Sequence, residues 1–150
     1  RLVSSAASDV YKRQGPDSEL EGSVRRMATL LVSGAKITSP HIAIFLRKGY
    51  GLGAQAMVGG SFHDPIYTAS WPTGEFGGMG LEGAVKLGFR KELEAETDPK
   101  KKEDLYNKLV ERSYEKGKAI EAAAHLEIDA VIDPADTRKV ILKALKNKFI

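Results

Sequence analysis

From Leu20, apolar residues return at Val24, Met27 and Leu31, and this spacing predicts an amphipathic helix ending near Gly34. Ser18 followed by Glu21 fits a capping box, in which each side chain satisfies an amide at the start of the helix. The next run, His41–Leu46 (HIAIFL), is continuously apolar and partly β-branched, as expected of a buried strand. Arg47–Met57 (RKGYGLGAQAM) reads as a glycine-rich turn opening a short helix. A second strand is expected over Pro65–Trp71, closed by Pro72. Glu75–Gly80 (EFGGMG) reads as a second glycine-rich turn, followed by a helix through about Glu94. Asp98 and Pro99 mark another helix start, because proline's missing amide is harmless at the first helical position. That helix is predicted to run to about Leu126. Glu127–Ile132 then reads as a short strand, and Asp133-Pro134 opens a last helix whose buried stripe is Val140, Ile141, Ala144 and Leu145. Strands alternating with helices, without an internal repeat or a second-domain boundary, argue for one α/β domain.

The 150 residues are 42% hydrophobic and 29% charged, enough to bury a real core, and they include no cysteine. A thiolate zinc site, a thiol nucleophile and a redox pair are therefore excluded. The longest apolar run, Ile42–Leu46, falls far short of the roughly 20 residues that cross a bilayer. No signal-like segment opens the chain, so no membrane contact and a cytoplasmic location are expected. Residues 1–14 (RLVSSAASDVYKRQ) follow neither period and resemble translated sequencing-adapter sequence. They are set aside as an adapter-derived or disordered tail, which leaves 15–150 as the folded domain. That tail holds two of the three net positive charges. The remainder shows no face of clustered arginine and aromatic residues, so no nucleic-acid partner is expected. Lys100–Lys102 read as a solvated run.

Chemistry is concentrated in the glycines between Gly49 and Gly88. A strand-to-helix turn leaves backbone amides unpaired at the positive end of the helix dipole, where a developing anion can be stabilised. The same glycines would also suit simple tight turns and close packing. Gly51–Ala56 fits the dinucleotide pattern G-x-G-x-x-A. Gly59-Gly60 follows within about two turns, too soon for a Rossmann crossover helix, and no acidic residue closes a next strand at the required distance. His41, His63 and His125 lie far apart, with no metal-ligand spacing. No G-x-S-x-G elbow is present. Glu75 is either a base beside the second turn or a structural carboxylate, and Tyr50 either lines a pocket or packs as an ordinary aromatic.

Three segments in order, LRKGYGLGAQAM (46–57), WPTGEFGGMGLEGAV (71–85) and EIDAVIDPADTR (127–138), resemble the acyl-CoA carboxylase carboxyltransferases. More narrowly, the chain is similar to the C-terminal half of their β-type subunit, from Gly15 to about Ala144. The resemblance implies a crotonase-like (ClpP/crotonase) α/β fold, a superhelix of strand–strand–helix (ββα) units. It also implies a biotin-dependent carboxyl transfer to the α-carbon of an acyl-CoA, with biotin carried by a partner protein and no metal bound by this chain. By that resemblance the backbone amides of Leu52 and Gly53 form the oxyanion hole for the biotin ureido anion. Gly51, Ala54, Gln55, Gly78, Met79 and Gly80 would shape the biotin and substrate pocket.

Gln55 matches a position that faces the acyl pocket, but Gly51-Leu52-Gly53-Ala54-Gln55 departs from the frequent family form G-G-A-Y-D, which leaves acyl choice open. The implied partners are a biotin carboxyl-carrier or biotin carboxylase subunit, acyl-CoA, and further copies of the chain, with a dimer interface inside a family hexamer. The acyl-CoA half of the subunit would lie outside these residues, and the segment alone would be inactive. The alternatives are a biotin-dependent acyl-CoA decarboxylase subunit, another crotonase-superfamily acyl-CoA enzyme, or an inactive assembly fragment.

Overall fold

The computed structural model describes residue 20 and residues 22–148. Tail 1–14 and the capping-box pair Ser18 and Glu21 lie outside the described residues. The order of elements is α1 (Ser23–Gly34), β1 (Ile42–Phe45), β2 (Lys48–Tyr50), α2 (Gly51–Met57), β3 (Tyr67–Ser70), β4 (Glu75–Gly77), α3 (Leu81–Gly88), α4 (Arg90–Ala95), α5 (Pro99–Lys116), α6 (Ala119–Ala124), β5 (Ala130–Val131) and α7 (Thr137–Lys148). No helix among the described residues is long and apolar enough to cross a membrane. α1 opens with Gly22 at its N-cap and no side-chain cap. Leu20, expected on the buried stripe, is 86% exposed.

β1, β3 and β5 form one parallel sheet in the order β1-β3-β5, and β2 and β4 form a second parallel pair. The chain therefore builds the same strand–strand–helix unit twice, as β1-β2-α2 and β3-β4-α3. The repeat is one of backbone path, with a glycine-rich turn before the helix in each unit. Arg47–Tyr50 and Glu75–Gly77, read from the sequence as parts of glycine turns, each contain a three-residue strand. Runs this short carry no detectable alternation, and only pairing with each other makes them strands.

The bends between the paired strands are stitched together. Trp71 N donates to the Phe45 carbonyl at 2.9 Å, and Glu75 N to the Arg47 carbonyl at 2.8 Å. Thr73 Oγ1 donates to the Leu46 carbonyl at 2.5 Å, and Ser70 Oγ to the Phe45 carbonyl at 3.2 Å. Ser70 is fully buried, so its hydroxyl needs such a partner. Below the bends, Phe45, Phe62 and Phe76 pack edge to face, with ring centroids 5.0, 5.0 and 5.9 Å apart. Ala119, Ala122 and Ile128 close this core.

The core also explains where the predicted helices break. Phe76 N donates to the Gly117 carbonyl at 2.7 Å and Ala119 N to the Gly74 carbonyl at 3.0 Å, pulling residues 117–119 against β4. A Cβ on Gly117 would stand 2.7 Å from the Phe76 carbonyl oxygen, so only glycine allows this approach. The helix expected over 98–126 is consequently split into α5 and α6. Its start is as predicted, with Asp98 accepting hydrogen bonds from the amides of Lys100 and Lys101. The helix expected through Glu94 is likewise two helices, α3 and α4, with Phe89 between them.

The strand expected over Glu127–Ile132 shrinks to two residues. Asp129 instead clasps Thr68, accepting from its amide at 2.7 Å and donating its own amide to the Thr68 carbonyl at 2.8 Å. Asp133 caps a single 3-10 turn (Pro134–Asp136) ahead of α7, where Val140, Ile141, Ala144 and Leu145 are half-buried. Trp71 Nε1 donates to Thr137 Oγ1 at 3.0 Å and fastens the start of α7 to the bend.

Leu126 ends α6 in the left-handed region at φ 60°, with its side chain 78% exposed. A leucine there carries backbone strain and packs against little. Leu126→Gly should therefore stabilise the fold by about 0.5–1 kcal/mol, read from the denaturant midpoint, once glycine's extra freedom in the unfolded chain is set against the relieved strain.

Candidate functional site

The register Tyr50↔Gly77 brings the residues that follow each strand, Gly51 and Gly78, side by side. Gly51 lies at φ +61°, and a Cβ on it would stand 2.7 Å from the Gly78 carbonyl oxygen. A left-handed backbone against another chain segment admits glycine alone. The two glycine turns, separate in sequence, are thus one structure.

α2 begins at this junction, and its N-cap Tyr50 makes no side-chain cap. The amides of Leu52 and Gly53 fall in the first turn, where no intrahelical carbonyl can reach them. Among the hydrogen bonds between described residues, neither amide donates. The Leu52 side chain is 70% exposed and Met79 is 42% exposed. Gly78 is exposed, and Gly51, Gly53, Gln55 and Gly80 are half-buried. Ala54 points into the core at 8% exposure. Thus Gly51, Leu52, Gly53, Gln55, Gly78, Met79 and Gly80 lie at or near an open surface, with Ala54 behind them. α2 has only seven residues, which disposes of the dinucleotide pattern.

The side chains nearby are already committed. Tyr50 Oη donates to Glu75 Oε2 at 2.8 Å, and Arg47 Nε lies 3.9 Å from Glu75 Oε1. Burial pushes the Tyr50 phenol far above its ordinary range, and the bond to Glu75 adds to the shift. Glu75 is thus held by Tyr50 and Arg47, as a structural carboxylate would be. Tyr114 Oη donates to Glu82 Oε1 at 2.5 Å, and this bond lowers the Glu82 carboxyl below its ordinary value. His41 Nε2 meets the carbonyl of Val58, the residue after α2, at 3.0 Å, and His125 Nδ1 meets the Glu121 carbonyl at 2.9 Å. Among the described residues no group of three or more His, Asp or Glu side chains could hold a metal ion. What the junction offers is backbone N–H groups, a small-residue approach and an apolar rim. The Tyr50–Glu75 pair was not visible in the sequence, because 25 residues separate its members and only the β2–β4 register joins them.

The chain matches the carboxyl transferase domain family over residues 13–149. It is 38% identical over 137 residues to the methylmalonyl-CoA carboxyltransferase 12S subunit of Propionibacterium freudenreichii subsp. shermanii, covering 88% of this chain and 25% of that protein. Among solved structures, it superposes with a TM-score of 0.77 and 35% identity on the transcarboxylase 12S hexamer with methylmalonyl-CoA bound, covering 89% of this chain and 25% of that one. A single-chain, multi-domain long-chain acyl-CoA carboxylase superposes with a TM-score of 0.74 and 50% identity, covering 87% of this chain and 13% of that one. The paired strand–strand–helix units are the crotonase-like fold of these carboxyltransferases. The chain spans about a quarter of the length of the curated relative.

Two predictions follow from the junction. Gly51→Ala forces a side chain into the left-handed region against the Gly78 oxygen, and should lower the unfolding free energy by about 2 kcal/mol or more in urea. The second concerns pH. Because its phenol is shifted upward, the folded chain keeps the Tyr50 proton where the unfolded chain releases it. That contribution is whole below about pH 10 and is lost as the pH rises further. Unfolding free energy should therefore drop more between about pH 9.5 and 11.5 in the wild type than in Tyr50→Phe, measured by parallel urea titrations.

Proposed function

The chain belongs to the carboxyl transferase domain family, and from that premise we propose that it is the C-terminal carboxyltransferase domain of a β-type subunit of a biotin-dependent acyl-CoA carboxylase. In this reading 15–150 is the domain, and the acyl-CoA half of the subunit lies outside it. The partners are a biotin-carrying protein, acyl-CoA and further copies of the subunit, in the cytoplasm. Support comes from the relatives, a methylmalonyl-CoA carboxyltransferase and acyl-CoA carboxylases among them, one in a hexamer. The observation that carries the reading is the pair of uncommitted amides at Leu52 and Gly53, beside the point where Gly51 touches Gly78.

These residues fit biotin, whose ring is small, neutral and polar at one edge. The amides offer two donors in one helical turn, Gly51 and Gly78 leave no Cβ in the way, and Leu52 and Met79 supply an apolar rim. When bound, carboxylated biotin supplies the carboxyl group and a urea oxygen on which negative charge develops. Leu52 N–H and Gly53 N–H would donate to that oxygen, and they cost no reorganisation because the β2–β4 register has already aimed the first turn. The positive end of α2 adds to the attraction. Gly80 and Met79 close the second side, and Gln55, one turn into α2, faces the acyl substrate. No side-chain acid or base at the junction is required for these roles.

A backbone device predicts an unusual mutational pattern. Proline is tolerated in the first turn of a helix but has no N–H to donate. In the complete subunit, assayed with its carrier protein and acyl-CoA, Gly53→Pro should lower carboxyl transfer by about 10²–10³-fold, while Leu52→Ala keeps most of it. Leu52→Ala proving as damaging as Gly53→Pro would refute the assignment.

A further inference from the structure

Tyr50 is the last residue of β2, immediately before Gly51 at the start of α2, and is 8% exposed. Its hydroxyl reaches diagonally across the strand pair to Glu75, two residues before its register partner Gly77 and so on the same face. Glu75 is itself fixed from two sides, by its amide on the Arg47 carbonyl at 2.8 Å and by Arg47 Nε at 3.9 Å from Oε1. Lys48, opposite Glu75 in register, places Nζ 6.0 Å from the Tyr50 ring centroid. Among the described residues no other side-chain hydrogen bond joins β2 to β4. α2 has no side-chain N-cap, so the direction of its first amides is set by the backbone of Tyr50 and by the contact of Gly51 with Gly78.

From this geometry we infer that Tyr50 and Glu75 are positioning residues for the double glycine turn: the Tyr50 hydroxyl, anchored on the Glu75 carboxylate, fixes the backbone that aims the Leu52 and Gly53 amides. The inference rests on the proposed carboxyl transfer for its meaning in catalysis, but the tether is a property of the chain alone. A tyrosine that merely packed would need its ring and would not need its hydroxyl. Among the described residues the paired hydroxyl is the one side-chain hydrogen bond between β2 and β4, and losing it loosens the backbone that leads into Gly51. A displacement of the order of 1 Å at a reacting centre is enough to cost up to about 10²-fold in rate.

Two measurements test this, the first independent of activity. ¹⁵N relaxation on the 150-residue chain should give Leu52 and Gly53 order parameters near about 0.85 in the wild type and in Glu75→Gln, which keeps a carbonyl acceptor for the phenol. In Tyr50→Phe and Glu75→Leu they should fall toward about 0.6, with the core amides of β3 unchanged. Unaltered Leu52 and Gly53 values in both of these variants would overturn the tether, whatever the chain does catalytically.

The second measurement uses the complete subunit. There, Tyr50→Phe should lower kcat for carboxyl transfer roughly tenfold with KM for acyl-CoA held within about twofold, the signature of an interaction made in the transition state. Glu75→Gln should stay near wild type. Full kcat in Tyr50→Phe would overturn the positioning role, and a wild-type subunit that transfers no carboxyl group would sink the functional reading while the relaxation result still judged the tether.

Discussion

Two successive strand–strand–helix units lie against each other in parallel, and the bends inside them run side by side. Phe45, Leu46 and Arg47 of the first bend offer their carbonyls to Trp71, Thr73 and Glu75 of the second. These bonds fix where each strand leaves the first sheet and enters the second. A slip of one residue would turn Phe45 and Phe76 away from Phe62 and dismantle the aromatic core, so the register is strongly specified. Given that register, Gly51 must meet Gly78. The site is thus a consequence of how the sheets stack, with no separate element built to hold it.

An active centre made of main-chain donors has a particular electrostatic economy. The amides of Leu52 and Gly53 carry partial positive charge at any pH, so they need no tuned pKa and no counter-ion. Several ionisable side chains in the vicinity are engaged with one another: Tyr50 and Arg47 each with Glu75, and Tyr114 with Glu82. Leucine at position 52 leaves the backbone donor in place, and its side chain is turned outward at 70% exposure.

Much of this was legible in the sequence. His41–Leu46 announced β1 as an apolar, partly β-branched run, and Pro65–Trp71 announced β3, closed by Pro72. Asp98-Pro99 and Asp133-Pro134 announced helical starts through local capping chemistry, and both aspartates do accept amide hydrogen bonds. The glycine clusters marked both turns. What local patterns could not carry was anything set by long-range pairing. β2 and β4 are strands only because each has the other, and the break at Gly117 exists only because Phe76 comes within reach of its carbonyl. β5 shortened for the same reason, since Asp129 is occupied with Thr68. At the site, the glycines were evident and the contact between them was not; the Tyr50–Glu75 tether spans 25 residues and has no local signature.

The account stands or falls on what those two main-chain nitrogens touch. The most direct measurement is a structure of the complete subunit with biotin bound at this domain. The urea oxygen should lie within about 3 Å of both the Leu52 and the Gly53 nitrogen, with the ring over the Gly51–Gly78 contact. Biotin seated elsewhere, or with its urea oxygen turned to a side chain or to solvent while both amides remain unengaged, would contradict it.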